Sequence, residues 1–188
     1  LVAGGWLRNA QARALGVSSD DRFALLLAFG RDCAGAVSLV DPAPAHEPAL
    51  DPGDAESVAA LASRASLSGI QPKLFAVADG KSFRPAKVGE TSTHIAKLPS
   101  GSLRDIVEIE HVTTEAMRAL LPGDDIVQTR IAGLSGLRGK ALLVRRFDRT
   151  PAGRKLHFEE FSQLLGKPSG DAKYDGAYED MARFIRET

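Results

Sequence analysis

The sequence has almost no cysteine, no excess of either charge and no long apolar run. A single thiol, Cys33, excludes an internal disulfide framework and fits a reducing, cytoplasmic compartment. Twenty-four Lys and Arg balance 24 Asp and Glu, which removes any global electrostatic pull toward nucleic acid or an anionic membrane. No stretch approaches the roughly 18 consecutive apolar residues that cross a bilayer. Aromatic residues make up only 6%, and the lone Trp6 suits a packing anchor better than a ligand platform. The chain also starts at Leu1, in mid-pattern, without Met or signal peptide, so a fragment is expected. What remains is ordinary: 188 residues, 44% hydrophobic and 26% charged, enough for one domain or two small ones with a buried core. There is no repeat and no low-complexity tract.

Leu7, Ala10, Ala14 and Leu15 recur at helical spacing and stop at Gly16. Ser18 or Ser19 is expected to cap a second helix, with Asp20 and Asp21 in its first turn and Gly30 at its end. Ala36–Val40 reads as a short strand. Residues 41–53 hold four of the ten prolines, a density that excludes helix and central strand and marks a connection between subdomains. A short helix is expected from Asp54 to about Ser63, and from Ser66 the pattern turns extended. Leu74–Ala78 meets Asp79-Gly80, a hairpin signal, and Ser82–Pro85 follows. Thr93–Leu98 is another strand. Leu103–Leu120 reads as an amphipathic helix burying Ile106, Ile109, Val112, Met117 and Leu120 or Leu121. Strands near Ile126–Ala132 and Lys140–Phe147 and short helices near Glu159–Leu165 and Tyr178–Arg186 complete the chain. The last helix should present Met181, Phe184 and Ile185 as an apolar face awaiting a partner.

The fold class is therefore α+β: a small N-terminal subdomain of helices and a strand, an antiparallel sheet with one long helix inserted, and the start of a helical region. That order resembles the small lobe of a protein kinase-like enzyme. We divide the chain into an N-terminal subdomain, residues 1–50, and a kinase-like unit, residues 54–188, made of a small lobe and the start of a second lobe.

Three constellations could carry chemistry. Lys97 lies mid-strand on the face of Ile95, and Glu108 and Glu110 on the next helix could pair with it, as in sites where a strand lysine neutralises nucleotide phosphates. A solvated edge lysine is the competing interpretation. Ser66–Lys73 (SLSGIQPK) is a small-residue turn that could bring backbone N–H groups to phosphate, yet it lacks the Walker A and G-x-G-x-x-G spacings and could be a plain turn. Leu142–Arg149 runs from an apolar strand into a charged exit, either a hinge or a core strand ending in solvent. Elsewhere, His46, His94, His111 and His157 lack metal-ligand spacing, no G-x-S-x-G supports a hydrolase, and Arg145, Arg146, Arg149, Arg154 and Lys155 form a locally basic patch without interleaved aromatics.

In order along the chain, these segments resemble the HipA family of bacterial serine/threonine kinase toxins. The matching segments are Gly30–Ser38 (GRDCAGAVS), Ser66–Lys73 (SLSGIQPK), Thr93–Pro99 (THIAKLP), Glu108–Glu110 at the helix start, with Ile109 in place of the usual Asn, Val144–Arg149 (VRRFDR) and His157–Gly166 (HFEEFSQLLG). The resemblance implies ATP as cosubstrate with Mg²⁺. It implies that Lys97 contacts the ATP phosphates and is oriented by Glu110, and that Gly69 and Gln71 shape a loop in which Ser66 is autophosphorylated. Backbone groups around Arg145 and Phe147 would hold adenine, with Arg145 where the family has Glu and Phe158 where many members have Gln. It further implies a protein substrate such as an aminoacyl-tRNA synthetase, a helix-turn-helix antitoxin as partner, DNA contact only through that antitoxin, and no membrane. The family's catalytic loop, a D-x-H-x-K-N pattern, and its metal-binding Asp are absent before Thr188, so they are expected beyond it and the chain alone should not turn over substrate. A non-catalytic module that binds nucleotide or antitoxin is the alternative.

Overall fold

The computed structural model describes residues 5–43, 71–87, 90–99, 105–168, 172 and 175–187, without the side chains of 5–7 and 10. The expected connection beyond residue 43, the helix after Asp54, the loop residues Ser66 and Gly69 and the side chain of Trp6 lie outside them.

Two helices, α1 (Gly5–Leu15) and α2 (Arg22–Phe29), pack through Ala12, Leu25 and Phe29. The cap of α2 is Asp21, whose carboxylate accepts from the Ala24 N–H at 3.0 Å. Neither serine takes that place, because the Ser18 hydroxyl accepts from the Asp20 N–H one turn too early. A 3₁₀ turn, Gly30–Asp32, follows α2. The strand expected at 36–40 does not form. The segment joins no sheet; Leu39 N–H donates to Gly30 O, and Lys155 Nζ donates to Val37 O and the Ser38 hydroxyl.

The second unit is a five-stranded antiparallel sheet of β1 (Lys73–Asp79), β2 (Ser82–Pro85), β3 (His94–Lys97), β4 (Thr129–Gly133) and β5 (Lys140–Arg145), in spatial order β2-β1-β3-β5-β4. The β1–β2 hairpin turns where the sequence asks for it: Asp79 faces Ser82, and Gly80 supplies φ +60°, which costs a glycine little. Strand alternation sorts side chains onto two faces. Leu74, Ala76, Phe83, Ala96, Ala141 and Leu143 share one face with Leu98 and Leu134 in a single buried cluster. Phe75, Ile95, Lys97, Leu142 and Val144 share the other.

Helix α3 (Ile106–Leu120) enters between β3 and β4 and covers this second face. Its inner stripe is Val107, Glu110, His111 and Thr114, one helical face at i, i+3, i+4 and i+7. The expected apolar face is turned away: Ile109, Val112, Met117 and Leu120 are 44–79% exposed, and Val107 alone is buried. Polar groups set this rotation, because Lys97 pairs with Glu110 and His111 Nδ1 meets the Thr129 hydroxyl at 2.8 Å. Two short helices follow: α4 (Phe161–Leu164), which begins in a capping box between Glu160 and Gln163, and α5 (Tyr178–Glu187). Phe184 of α5 packs edge-on against Phe161, while Tyr178 and Ile185 stay exposed. No described helix is long and apolar enough to cross a membrane.

Candidate nucleotide site

Lys97 ends β3 on the face covered by α3. There its ammonium forms a hydrogen-bonded ion pair with Glu110, both groups about one-third exposed or less. A half-covered pair of this kind holds the lysine in place while leaving it reachable by a polyanion. The main chain of Glu110 is tied as well, since its carbonyl accepts from the Thr114 hydroxyl at 2.7 Å. Lys73 faces Lys97 directly across β1–β3, so two cations share this patch of sheet. Gln71 leads into β1 beside them: its Nε2 donates to Leu98 O at 3.1 Å, and Leu98 N–H donates to Pro72 O at 2.8 Å. The segment that follows Ser66 and Gly69 is thereby pinned to the exit of β3, next to Lys97.

At the far end of β5 the chain leaves the sheet through Arg145, Arg146 and Phe147. The N–H of Arg145 donates to Gln128 O and that of Arg146 to Thr93 O, so both donors are consumed by neighbouring strands. Phe147 N–H is the first main-chain donor past β5 with no partner among the described residues. Its ring is 70% exposed and tilts against Phe158 at 5.1 Å. The Arg145 side chain shares a face with His94 and not with Lys97, so it points away from the Lys97–Glu110 pair.

Arg146, Asp148 and Arg149, expected in a basic surface patch, are instead buried. They close a four-charge network with Asp32 of the N-terminal unit. Arg146 grips Asp148 in bidentate fashion at 2.8 and 2.6 Å and reaches Asp32 at 3.1 Å. Arg149 donates to Asp32 at 2.7 Å and to Asp148 at 2.8 Å. The Ser92 hydroxyl donates to Asp32, and Gly35 N–H donates to Asp148 at 2.9 Å. Two guanidiniums meet two carboxylates, so the buried charges cancel and nearly every polar atom is bonded, as burial requires. Burial alone would push the Asp148 carboxyl up, but the bonds from Arg146, Gly35 N–H and the Arg149 charge outweigh it and hold it below the usual range. The Arg146 guanidinium also lies 4.4 Å over the Phe75 ring. Sequence inspection missed this network. Its one signal was an Asp alternating with arginines just where an apolar strand ends; the partner lies 114 residues earlier and carries no mark of pairing.

A strand lysine paired to a glutamate of the one helix inserted in an antiparallel sheet, above a strand exit with a free main-chain donor, defines a small lobe of kinase type. The comparisons narrow the class. Residues 65–188 match the HipA-like C-terminal domain family and residues 1–40 the HipA N-terminal domain family. The chain belongs to the HipA family. It is 34% identical to the serine/threonine-protein kinase toxin HipA of Shewanella oneidensis over 81% of this chain and 38% of that protein. It is 32% identical to Y4dM of Sinorhizobium fredii, which carries a provisional kinase name, over 98% of this chain and 48% of that one. Among solved structures, the Shewanella oneidensis complex of HipA, HipB and operator DNA matches with a TM-score of 0.52 and 31% identity, over 79% of this chain and 38% of the matched chain. The chain thus spans about half or less of the length of these relatives.

Proposed function

We propose that this chain supplies the nucleotide-holding half of an ATP-dependent serine/threonine protein kinase acting as a toxin. The observation that carries it is the Lys97–Glu110 pair, set beside Lys73 on one sheet face. Lys97 would neutralise phosphate oxygens while Glu110 fixes its direction, which is electrostatic positioning and not covalent chemistry. The donor set fits a polyphosphate: Lys73 and Lys97 are cations, and the Glu110 carboxylate is committed to Lys97. The Phe147 N–H would bond an adenine edge, with Val144 lining the same face.

ATP would bring the transferable phosphoryl group, and Mg²⁺ would neutralise its developing charge. Gln71 and Gly69 would shape the loop that presents Ser66 for autophosphorylation. By analogy with its family, the whole protein would phosphorylate a protein target such as an aminoacyl-tRNA synthetase in the cytoplasm. It would pair with a helix-turn-helix antitoxin resembling HipB and meet DNA only through that partner. Titration of the purified chain with a fluorescent ATP analogue tests the nucleotide role. Lys97→Met should weaken binding by about tenfold or more, the worth of one charge-assisted contact. Equal affinity in parent and variant would refute the assignment of Lys97.

A further inference from the structure

We propose that the β4 edge of the sheet carries a second ligand site, which takes a compact phosphate-bearing anion between Arg118, Arg130 and Arg145. The sheet register builds it. His94 on β3 stands directly opposite Arg145 on β5, and Arg130 on β4 stands opposite Leu143, one alternation along the same face. Arg118, in the last turn of α3, closes the side. These residues line a concavity of about 440 Å³ floored by the buried Phe83 and Leu143. That volume suits a small-molecule ligand.

No carboxylate among the described residues lines it. Among the described residues, neither Arg130 nor Arg145 has an acidic partner: Arg130 lies 5.9 Å over the Phe83 ring, and Arg145 donates to the neutral Gln128 Oε1 at 3.2 Å. Arg118 pairs with the exposed Glu115 on its own helix at 3.0 Å. Arg130 and Arg145 are diagonal neighbours on one face of adjacent strands, near enough for two long cationic side chains to repel. Burial, and then the Arg145 charge, keep the His94 imidazole below its ordinary pKa, so this wall is a neutral ring beside guanidiniums. An anion would relieve the repulsion, and planar guanidiniums bind phosphate oxygens two at a time. The cations converge on one concavity and do not run in a stripe, and the chain as a whole is neutral, which favours a compact anion over a nucleic acid backbone. None of these residues is part of the Lys97–Glu110 site except Arg145, whose proposed adenine contact is main-chain only.

Calorimetric titration of the full chain with inorganic pyrophosphate at low salt, alongside NMR of the His94 ring, provides the test. The parent should bind with the His94 ring resonances shifting, and in the double variant Arg118→Gln/Arg130→Gln those shifts should need roughly tenfold more pyrophosphate or fail to appear. The two arginines are exposed, so the double variant should keep the parent's circular dichroism; Arg118→Lys/Arg130→Lys, which keeps charge without the planar fork, should fall between the two. The proposal is overturned if the parent does not bind, if binding leaves His94 unmoved, or if the His94 shifts of the double variant follow pyrophosphate as the parent's do. It is equally overturned if a single-stranded oligonucleotide binds this face and pyrophosphate fails to displace it.

Discussion

Asp32, in the turn after the second helix, and Arg146, at the exit of the fifth strand, share an ion pair at 3.1 Å with their side chains only 2% and 1% exposed. The contact joins the N-terminal unit to the segment that leaves the fifth strand, from which adenine would be held. A buried pair stripped of one member leaves an uncompensated charge. Arg146→Met should therefore lower the unfolding free energy by about 3–5 kcal/mol in urea titrations, and Asp32→Asn by a similar amount. The double variant should cost clearly less than the sum, because both changes break one network. Additive losses would mean that the two residues are energetically independent.

Gly35 makes the same junction through its backbone. Its φ is +72°, its N–H binds Asp148, and a Cβ there would stand 3.3 Å from Phe158 O. Gly35→Ala should cost on the order of 1–3 kcal/mol, from the left-handed backbone and the crowding together. By contrast, Gly136→Ala, also at positive φ but with nothing within 4 Å, should cost only the backbone part. Thermal melts of the two variants compare them directly, and equal losses would show that the Phe158 contact adds nothing.

Acid should loosen the molecule in a defined window. The Arg84 guanidinium, bonded to both Glu90 oxygens at 2.7 and 2.6 Å, holds that carboxyl at about 2 against an ordinary 4.5. Asp148 is lowered too. A depressed carboxylate stabilises the fold above its unfolded pKa, and that contribution is lost as pH falls through the folded value. Stability should thus decline from about pH 5 to pH 2, with Glu90→Gln flattening only a minor share because its pair is near the surface. A urea midpoint that stays level across that window would contradict both assignments.

Cys33 should be chemically silent. Burial pushes its thiol pKa up, more than nearby cations lower it, and its Sγ lies 3.1 Å from Gly30 O. Ellman's reagent should label it slowly in the native protein and at once in urea, whereas fast native labelling would show that the junction opens readily.

Much of this was legible in the residues themselves. The Asp79-Gly80 hairpin, the Thr93–Leu98 strand and the helix that ends at Leu120 follow from local chemistry, since turn residues and hydrophobic period act over a few positions. Strand alternation and helix spacing put Glu108 and Glu110 within reach of Lys97, and the family resemblance singled out Glu110. The rotation of the inserted helix could not be read there: its apolar stripe argued for burying Ile109 and Val112, and contacts to Lys97 and Thr129 on other strands decided otherwise. Nor could the fate of Arg146 and Arg149, because a charged side chain shows in sequence only its charge. Whether it is solvated or buried depends on where its counter-charge comes to rest, and Asp32 is brought there only by the tertiary fold.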